Sequence, residues 1–165
     1  MAVKALSQAI LSFYADAPKT AASLFVSLDG DLGAGKTTAT RYLLKAMGYG
    51  GKVKSPTYSL CEEHMLELPN HRELHVFHFD LYRMQSPTEW QEAGLLERFD
   101  HQDGQDRATL CIVEWPQKAE HTLPVMDLAI TLTHPTNPAS ELARTIEIAA
   151  ITAKGEAILN TFTTP

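Results

Sequence analysis

The feature that most constrains this chain is the octapeptide Gly30-Asp31-Leu32-Gly33-Ala34-Gly35-Lys36-Thr37. It matches G-x-x-x-x-G-K-[ST], the phosphate-binding loop of nucleotide hydrolases and kinases. Residues 23–28 before it are mostly apolar, with β-branched and aromatic members, which predicts a buried strand. Residues 38–47 after it carry apolar side chains at helical spacing and end before Gly48, a residue typical of a helix C-cap. A phosphate-binding loop requires this order of strand, glycine-rich turn and helix.

Each part of this loop has a physical role in holding phosphate. Glycines let the backbone curl so that successive amides point inward, and the following helix presents its positive end to an anion. Lys36 can reach the outer phosphates, and the Thr37 hydroxyl can take one position around Mg²⁺. The sequence therefore predicts a nucleoside-triphosphate site. The residues predicted to hold the phosphates are Asp31, Gly33, Ala34, Gly35, Lys36, Thr37 and Thr38.

A phosphate loop also needs a carboxylate near Mg²⁺ and a group that positions the attacking molecule. Only carboxylates at the carboxyl ends of core strands can face the same crevice as the loop. Glu114 follows the apolar run 110–113, and it could bind Mg²⁺ directly, bind it through water, or orient the attacking water. Asp80 ends a strand predicted at 73–79, with a strand-end turn or cap as the alternative role. The predicted catalytic residues are Lys36, Asp80 and Glu114, and the predicted magnesium ligands are Thr37, Asp80 and Glu114.

Two further features lie near the predicted site. The segment Ser55-Pro56-Thr57-Tyr58 follows the phosphate-loop helix, so Thr57 could sense the γ-phosphate through Mg²⁺. The alternative is an ordinary loop that enters a strand. Arg83 lies three residues beyond Asp80 and could either stabilise phosphate charge or pair with a carboxylate. Since the chain has no Asn-Lys-x-Asp segment of the kind that guanine-specific proteins use, ATP is favoured over GTP.

The remaining periodicity predicts an α/β fold. The helix predicted at 86–99 is expected to begin at a capping box, Ser86-Pro87-Thr88-Glu89. We predict one domain over residues 1–165, a P-loop nucleotide hydrolase-like three-layer sandwich with a mixed parallel and antiparallel sheet. The predicted elements outside the loop are helices at 3–15, 86–99 and 153–162, strands at 59–65, 73–79, 110–113, 127–133 and 144–151, a surface loop at 100–107 and a turn at 135–138.

Composition excludes several classes of function. The formal net charge of −6 argues against strong direct binding of nucleic acid. No apolar run approaches the roughly 18 to 20 residues of a membrane helix, and the first 18 residues lack a secretory pattern, so we expect a cytoplasmic protein. Cys61 and Cys111 are expected to be buried free thiols. His75 and His78 should point to opposite faces of a strand, which argues against a shared zinc ion.

Several segments taken together resemble the TsaE (YjeE) family, small bacterial P-loop ATPases of tRNA threonylcarbamoyladenosine biosynthesis. The phosphate loop is shared by many families, but three further motifs are specific. They are Ser55-Pro56-Thr57-Tyr58, His78-Phe79-Asp80-Leu81-Tyr82-Arg83 and Glu114-Trp115-Pro116, supported by Arg41, by Gly94 and by the N-terminal helix. The resemblance covers roughly residues 3–135. Tyr58 stands where phenylalanine is usual, and the tail beyond residue 135 adds little.

The resemblance implies a Mg²⁺-dependent ATPase that docks onto the TsaB–TsaD heterodimer and resets it between rounds of modifying the adenosine beside the anticodon. Contact with tRNA would be indirect. By position, Lys36 and Thr37 would hold phosphates and Mg²⁺, and Thr57 would be switch-like. Asp80 and Glu114 would serve Mg²⁺ and the catalytic water, and Trp115 would lie beside the nucleotide. Slow hydrolysis that partners stimulate would make physical sense, since such sites are completed when closure excludes water.

Two other classes of function compete with this interpretation. A small-molecule kinase would need a mobile, arginine-bearing lid, but the loop 100–107 holds only Arg107, with Arg98 just before it. A nucleotide-binding regulatory module without useful turnover would not need two strand-end carboxylates. A phosphorylated small molecule would reveal the kinase, and absence of ADP release would reveal the regulatory module.

Overall fold

The computed structural model describes residues 2–17, 22–99, 108–135 and 143–161. Its strands are β1 Ser23–Asp29, β2 Cys61–Glu67, β3 Glu73–Asp80, β4 Ala108–Glu114, β5 Leu128–Thr133 and β6 Thr145–Ala150. Its α-helices are α1 Ala2–Asp16, α2 Lys36–Ala46, α3 Glu89–Glu92 and α4 Ala153–Asn160. The predicted loop at 100–107 and most of the predicted turn at 135–138 lie outside the described residues.

The strands form one sheet in the order β2-β3-β4-β1-β5-β6. The inner four strands are parallel, whereas β2 and β6 are antiparallel to their neighbours. The predicted mixed sheet is therefore confirmed. Strand β4 is buried along its whole length, as expected for an apolar run covered on both faces.

The two faces of the sheet carry separate apolar clusters, because side chains alternate between faces along each strand. Alternate residues such as Leu74, Val76 and Leu110 pack against α1, α2 and α4. The residues between them, such as Phe77 and Cys111, pack against the segment that contains α3. This arrangement gives the predicted three layers, although short helical turns build most of the second face.

Helix α1 is held to the sheet by a buried phenol. The Tyr14 hydroxyl donates a 2.6 Å hydrogen bond to the Thr109 carbonyl oxygen at the start of β4. Burial raises the pKa of Tyr14 well above its ordinary value, with nearby Cys111 a smaller cause. The predicted amphipathic helix at 3–15 is thus present and docks by its apolar face.

The predicted helix at 86–99 is wrong in length. The chain forms only the four-residue α3 and a 3-10 turn at Leu96–Arg98. Gly94 interrupts the helix at φ +75°, a left-handed conformation that favours glycine. The capping box is not formed either, since the Glu89 carboxylate accepts the Gln85 N–H at 2.7 Å instead of capping Ser86. Burial of Trp90 against the sheet fixes this segment without a long helix.

The cysteine thiols are free, as predicted. Cys111 is fully buried in β4, while Cys61 is half-buried and burial raises its pKa to about 12. In the ranges that the structure describes, no helix has the length and apolar character needed to cross a membrane.

Asp127 is a buried carboxylate that joins three elements away from the phosphate loop. Its side chain accepts the Phe25 N–H at 2.9 Å and the Thr152 hydroxyl at 2.6 Å, and Lys154 lies 3.3 Å away. Thr152 in turn caps α4 by accepting the Gly155 N–H. Helix α4 consequently sits so close to Asp127 that a Cβ on Gly155 would lie 2.1 Å from the Asp127 carbonyl oxygen.

This close approach makes a test of the packing of α4. Replacing a helical glycine with alanine usually stabilises a protein by up to about 1 kcal/mol. We expect Gly155→Ala instead to destabilise this protein by about 2 kcal/mol, because the new methyl group would overlap a backbone oxygen. Urea unfolding measures the change. The control is Ala157→Gly at an exposed site of α4, which should destabilise the protein through helix propensity alone. A Gly155→Ala variant that is more stable than wild type would contradict the packing.

Candidate active site

The phosphate loop leaves β1 and enters α2 through two glycines that other residues could not replace. A Cβ on Gly30 would lie 2.4 Å from the Leu132 carbonyl oxygen, so β5 packs directly on the backbone there. Gly35 precedes α2 at φ +99°. At its other end α2 terminates as predicted, with Gly48 at φ +102° and its N–H donating to the Lys45 carbonyl. The strand, loop and helix are therefore present as the sequence predicts.

Lys36 is folded onto the loop itself. Its Nζ donates to the carbonyl oxygens of Gly30 at 2.5 Å and Asp31 at 2.9 Å, and it lies 3.7 Å from the centroid of the Trp115 ring. Burial lowers the pKa of Lys36, and the nearby carboxylates, Glu114 first, oppose that shift. A phosphate anion would supply the counter-charge that the carbonyl oxygens only partly provide.

Parallel register brings the two predicted carboxylates side by side. Asp80 at the end of β3 is the register partner of Glu114 at the end of β4, and Glu114 pairs on its other side with Leu28 of β1. The carboxylates therefore lie at the edge of the sheet where the phosphate loop begins. The Thr37 hydroxyl donates a 3.1 Å hydrogen bond to Glu114 Oε2.

Asp80 lines the cleft and also accepts hydrogen bonds from three other residues. Its Oδ1 accepts the Tyr82 N–H at 3.1 Å, which is the strand-end turn that sequence reasoning kept as an alternative. Its Oδ2 accepts the hydroxyls of Ser55 at 2.6 Å and Thr57 at 2.9 Å. Asp80 therefore holds the predicted switch-like segment beside the phosphate loop.

Aromatic rings border the cleft. Trp115 adopts φ +60°, a conformation unusual for a large residue, and its ring lies 4.9 Å from the ring of Tyr82. The Arg83 guanidinium stacks over the exposed Tyr58 ring at 4.4 Å. Arg83 also lines the cleft, and among the described residues it forms no ion pair with a carboxylate.

The cleft has a volume of about 380 Å³. Most of the predicted residues line it: Gly33, Gly35, Lys36, Thr37, Thr38, Thr57, Asp80, Glu114 and Trp115. Two do not, because Ala34 is fully buried and Asp31 turns its side chain to solvent. A larger cleft of about 490 Å³ between α1 and α4 contains neither the loop nor the paired carboxylates.

The donor set of the cleft fits Mg²⁺. Hydroxyl and carboxylate oxygens from Thr37, Asp80 and Glu114 are the hard ligands that this ion prefers. No group of three His, Cys, Asp or Glu side chains suited to a metal gathers within the described ranges. This sparse set fits an ion that takes its other ligands from water and phosphate, as Mg²⁺ commonly does.

Two residues at the site were missed by sequence reasoning. His78 lies 2.7 Å from Glu114, and strand alternation could have revealed it, because residue 78 shares a face with Asp80. The Arg144 Nε donates to the Ala34 carbonyl of the phosphate loop at 3.1 Å. No local signal marked this arginine, since 110 residues separate it from the loop.

The fold is α/β and P-loop nucleotide hydrolase-like, with the candidate site at the carboxyl ends of its inner strands. Comparison with sequence models of protein families gives a more specific assignment. The model of the family described as "Threonylcarbamoyl adenosine biosynthesis protein TsaE" matches residues 2–146. The chain therefore belongs to the TsaE family, which functions in tRNA threonylcarbamoyladenosine biosynthesis.

Known proteins agree with this membership. The tRNA threonylcarbamoyladenosine biosynthesis protein TsaE of Haemophilus influenzae is 37% identical over 143 residues, which is 87% of this chain and 80% of that protein. The protein of the same name from Bacillus subtilis is 37% identical over 107 residues, 65% of this chain and 60% of its own length. The crystal structure of Bacillus subtilis YdiB superimposes with a TM-score of 0.65, covering 97% of this chain and 86% of that one. At 24% identity, that likeness shows the fold alone.

The contact between Lys36 and Trp115 gives a direct test of nucleotide binding. We expect the fluorescence of Trp115 to change when ATP or ADP is added, because Lys36 should leave the indole ring for the phosphates. The other tryptophan, Trp90, is buried and donates to Thr122, so it should not respond. A titration followed by emission measures the change. A nucleotide response that persists in Trp115→Phe would contradict this assignment.

Proposed function

We propose that this chain is a Mg²⁺-dependent ATPase that supports threonylcarbamoyladenosine modification of tRNA by acting with the TsaB and TsaD proteins. The observation that carries the proposal is the hydrogen bond between Thr37 of the phosphate loop and Glu114 at the end of β4. It joins a phosphate-binding element to a buried carboxylate, and both are needed for phosphoryl transfer to water.

The phosphates of ATP would be held by loop amides, by the start of α2 and by Lys36. In the structure Lys36 already lies inside the cleft, where its ammonium group is bonded to two carbonyl oxygens of the loop. Only a turn of this side chain is needed to bring the charge to a phosphate. Such a preorganised charge is worth more in a partly buried site than in open solvent.

Thr37, Asp80 and Glu114 are the residues that would hold Mg²⁺. When bound, the ion neutralises charge that develops on the phosphate oxygens during transfer. Without a cation, the two neighbouring carboxylates would repel a triphosphate. The acidic pair therefore supports a site built for a nucleotide together with its metal.

Hydrolysis would proceed by attack of a water oxygen on the γ-phosphorus. The bond between that phosphorus and the β–γ bridging oxygen would break, and ADP would leave with the bonding electrons. Inorganic phosphate would carry the oxygen of the water, and the proton that the water gives up would pass to solvent. Glu114 is our candidate to orient the water by accepting its hydrogen bond, because its side chain is only 3% exposed and faces the loop. Placement of a nucleophile in this way accounts for a large part of catalysis in such sites.

The partner dependence is proposed from the family and from the switch-like segment. Thr57 and Ser55 are tied to the cleft through one oxygen of Asp80, so a partner that moved this segment would alter the site. The formal charge of −6 supports an indirect contact with tRNA through the partner proteins.

Release of ADP by the purified chain, alone and with the TsaB–TsaD heterodimer, tests the proposal. We expect slow release alone, an increase with the partners, and loss of at least about tenfold in nucleotide affinity in Lys36→Ala, since hydrogen bonds to charged groups have this strength. Chromatography of the products measures ADP and would also reveal a phosphorylated acceptor. Turnover that ignores the partners or survives in Lys36→Ala would contradict the proposal.

A second test concerns Asp80. We expect Asp80→Ala to lower ADP release by about tenfold, because the variant loses a carboxylate of the cleft and the anchor of Ser55 and Thr57. The matched control is Glu73→Ala, which removes an exposed carboxylate from the other end of β3. Unchanged turnover in Asp80→Ala would leave this residue with only its strand-end turn.

A further inference from the structure

The candidate catalytic carboxylate is held from two sides. His78 Nε2 lies 2.7 Å from Glu114 Oε1, and both side chains are buried, with exposed fractions of 0% and 3%. The other oxygen of the same carboxylate, Oε2, accepts the Thr37 hydroxyl at 3.1 Å. Each oxygen therefore has its own partner, and one of the two partners belongs to the phosphate loop.

The sheet explains why these side chains meet. His78 pairs in register with Ile112, so it lies diagonally from Glu114 on the same face of the neighbouring strand. Diagonal neighbours on adjacent strands are farther apart at the backbone than the roughly 4.8 Å between the strands, a gap that only long side chains close. The glutamate side chain is long enough to close that gap. It has one more rotatable bond than aspartate, however, and this torsion must be fixed before the carboxylate can hold one orientation.

The surroundings of the other ring nitrogen of His78 decide which group donates the hydrogen bond to the other. Nδ1 of His78 is buried and has no hydrogen-bond partner among the described residues. If Nε2 carries the proton, it donates to the carboxylate, and Nδ1 is left as a bare acceptor. The opposite tautomer would bury an unpaired N–H and set a lone pair against a carboxylate oxygen, at a greater cost.

We propose that His78 is a positioning residue for Glu114. By holding Oε1 in the core of the sheet, it leaves Oε2 to face the phosphate loop and the reacting groups. This inference rests on the proposed ATP hydrolysis. It also gives a physical reason for a histidine directly before Phe79 and Asp80 at this end of β3.

Steady-state ATP hydrolysis of two variants tests the proposal. We expect His78→Leu to lower kcat by at least about tenfold while the KM for ATP changes by less than about twofold, because only the orientation of Glu114 is lost. His78→Gln, whose amide N–H can reach the same carboxylate oxygen, should restore kcat to within about threefold of wild type.

The matched control is His64→Leu. His64 is also buried on this face and lies beside His78, with ring centroids 6.4 Å apart, but it contacts the Tyr49 hydroxyl instead of Glu114. We expect His64→Leu to lower stability without the loss of kcat. Equal losses of kcat in His64→Leu and His78→Leu, or no rescue by His78→Gln, would overturn the positioning role.

A measurement on the nucleotide-free protein separates this inference from the proposed function. Long-range nitrogen–proton spectra of ¹⁵N-labelled protein, assigned by the signals lost in His78→Gln, should show the His78 proton on Nε2 and a shift of that ring in Glu114→Gln. A proton on Nδ1 alone, or an unshifted ring, would overturn the inference. If the wild-type protein releases no ADP with or without partners, the proposed ATPase activity is wrong. The spectra would still test the hydrogen bond between His78 and Glu114.

Discussion

Register between parallel strands is the constraint on which the rest of this site depends. Because β3, β4 and β1 run in the same direction, Asp80, Glu114 and the start of the phosphate loop reach one edge of the sheet together. A shift of β3 or β4 by one residue would turn the carboxylate of that strand to the opposite face. The apolar side chains that fix this register are therefore as necessary to the site as the polar residues that form it.

The polar groups at this edge form two neighbouring hydrogen-bonded sets, one around Glu114 and one around Asp80. Thr37 contacts Glu114, Glu114 contacts His78, and Asp80 holds Ser55 and Thr57. Buried polar groups of this kind are stable only when most of their hydrogen bonds are made. On the proposed function, a bound nucleotide would replace the carbonyl partners of Lys36, next to both sets of hydrogen bonds.

Asp127 shows why burial alone does not identify a functional carboxylate. It is as buried as Asp80, but its oxygens are taken up by Phe25, Thr152 and Lys154, and no phosphate loop lies beside it. Its role is to join β1, β5 and α4. Position at the carboxyl end of the inner strands, next to a glycine-rich turn, is what distinguishes the candidate site.

The sequence by itself determined the phosphate loop, the mixed sheet, the free cysteines and the family, because these depend on local patterns: glycine spacing, strand alternation and short motifs. Prediction from the sequence failed where contacts between distant segments determine the local structure. The predicted helix at 86–99 ends at Glu92, because Gly94 takes a left-handed conformation and Trp90 is buried against the sheet. The side-chain partners of Asp80 and of His78 lie 23 to 36 residues away, so only the folded sheet could set those distances.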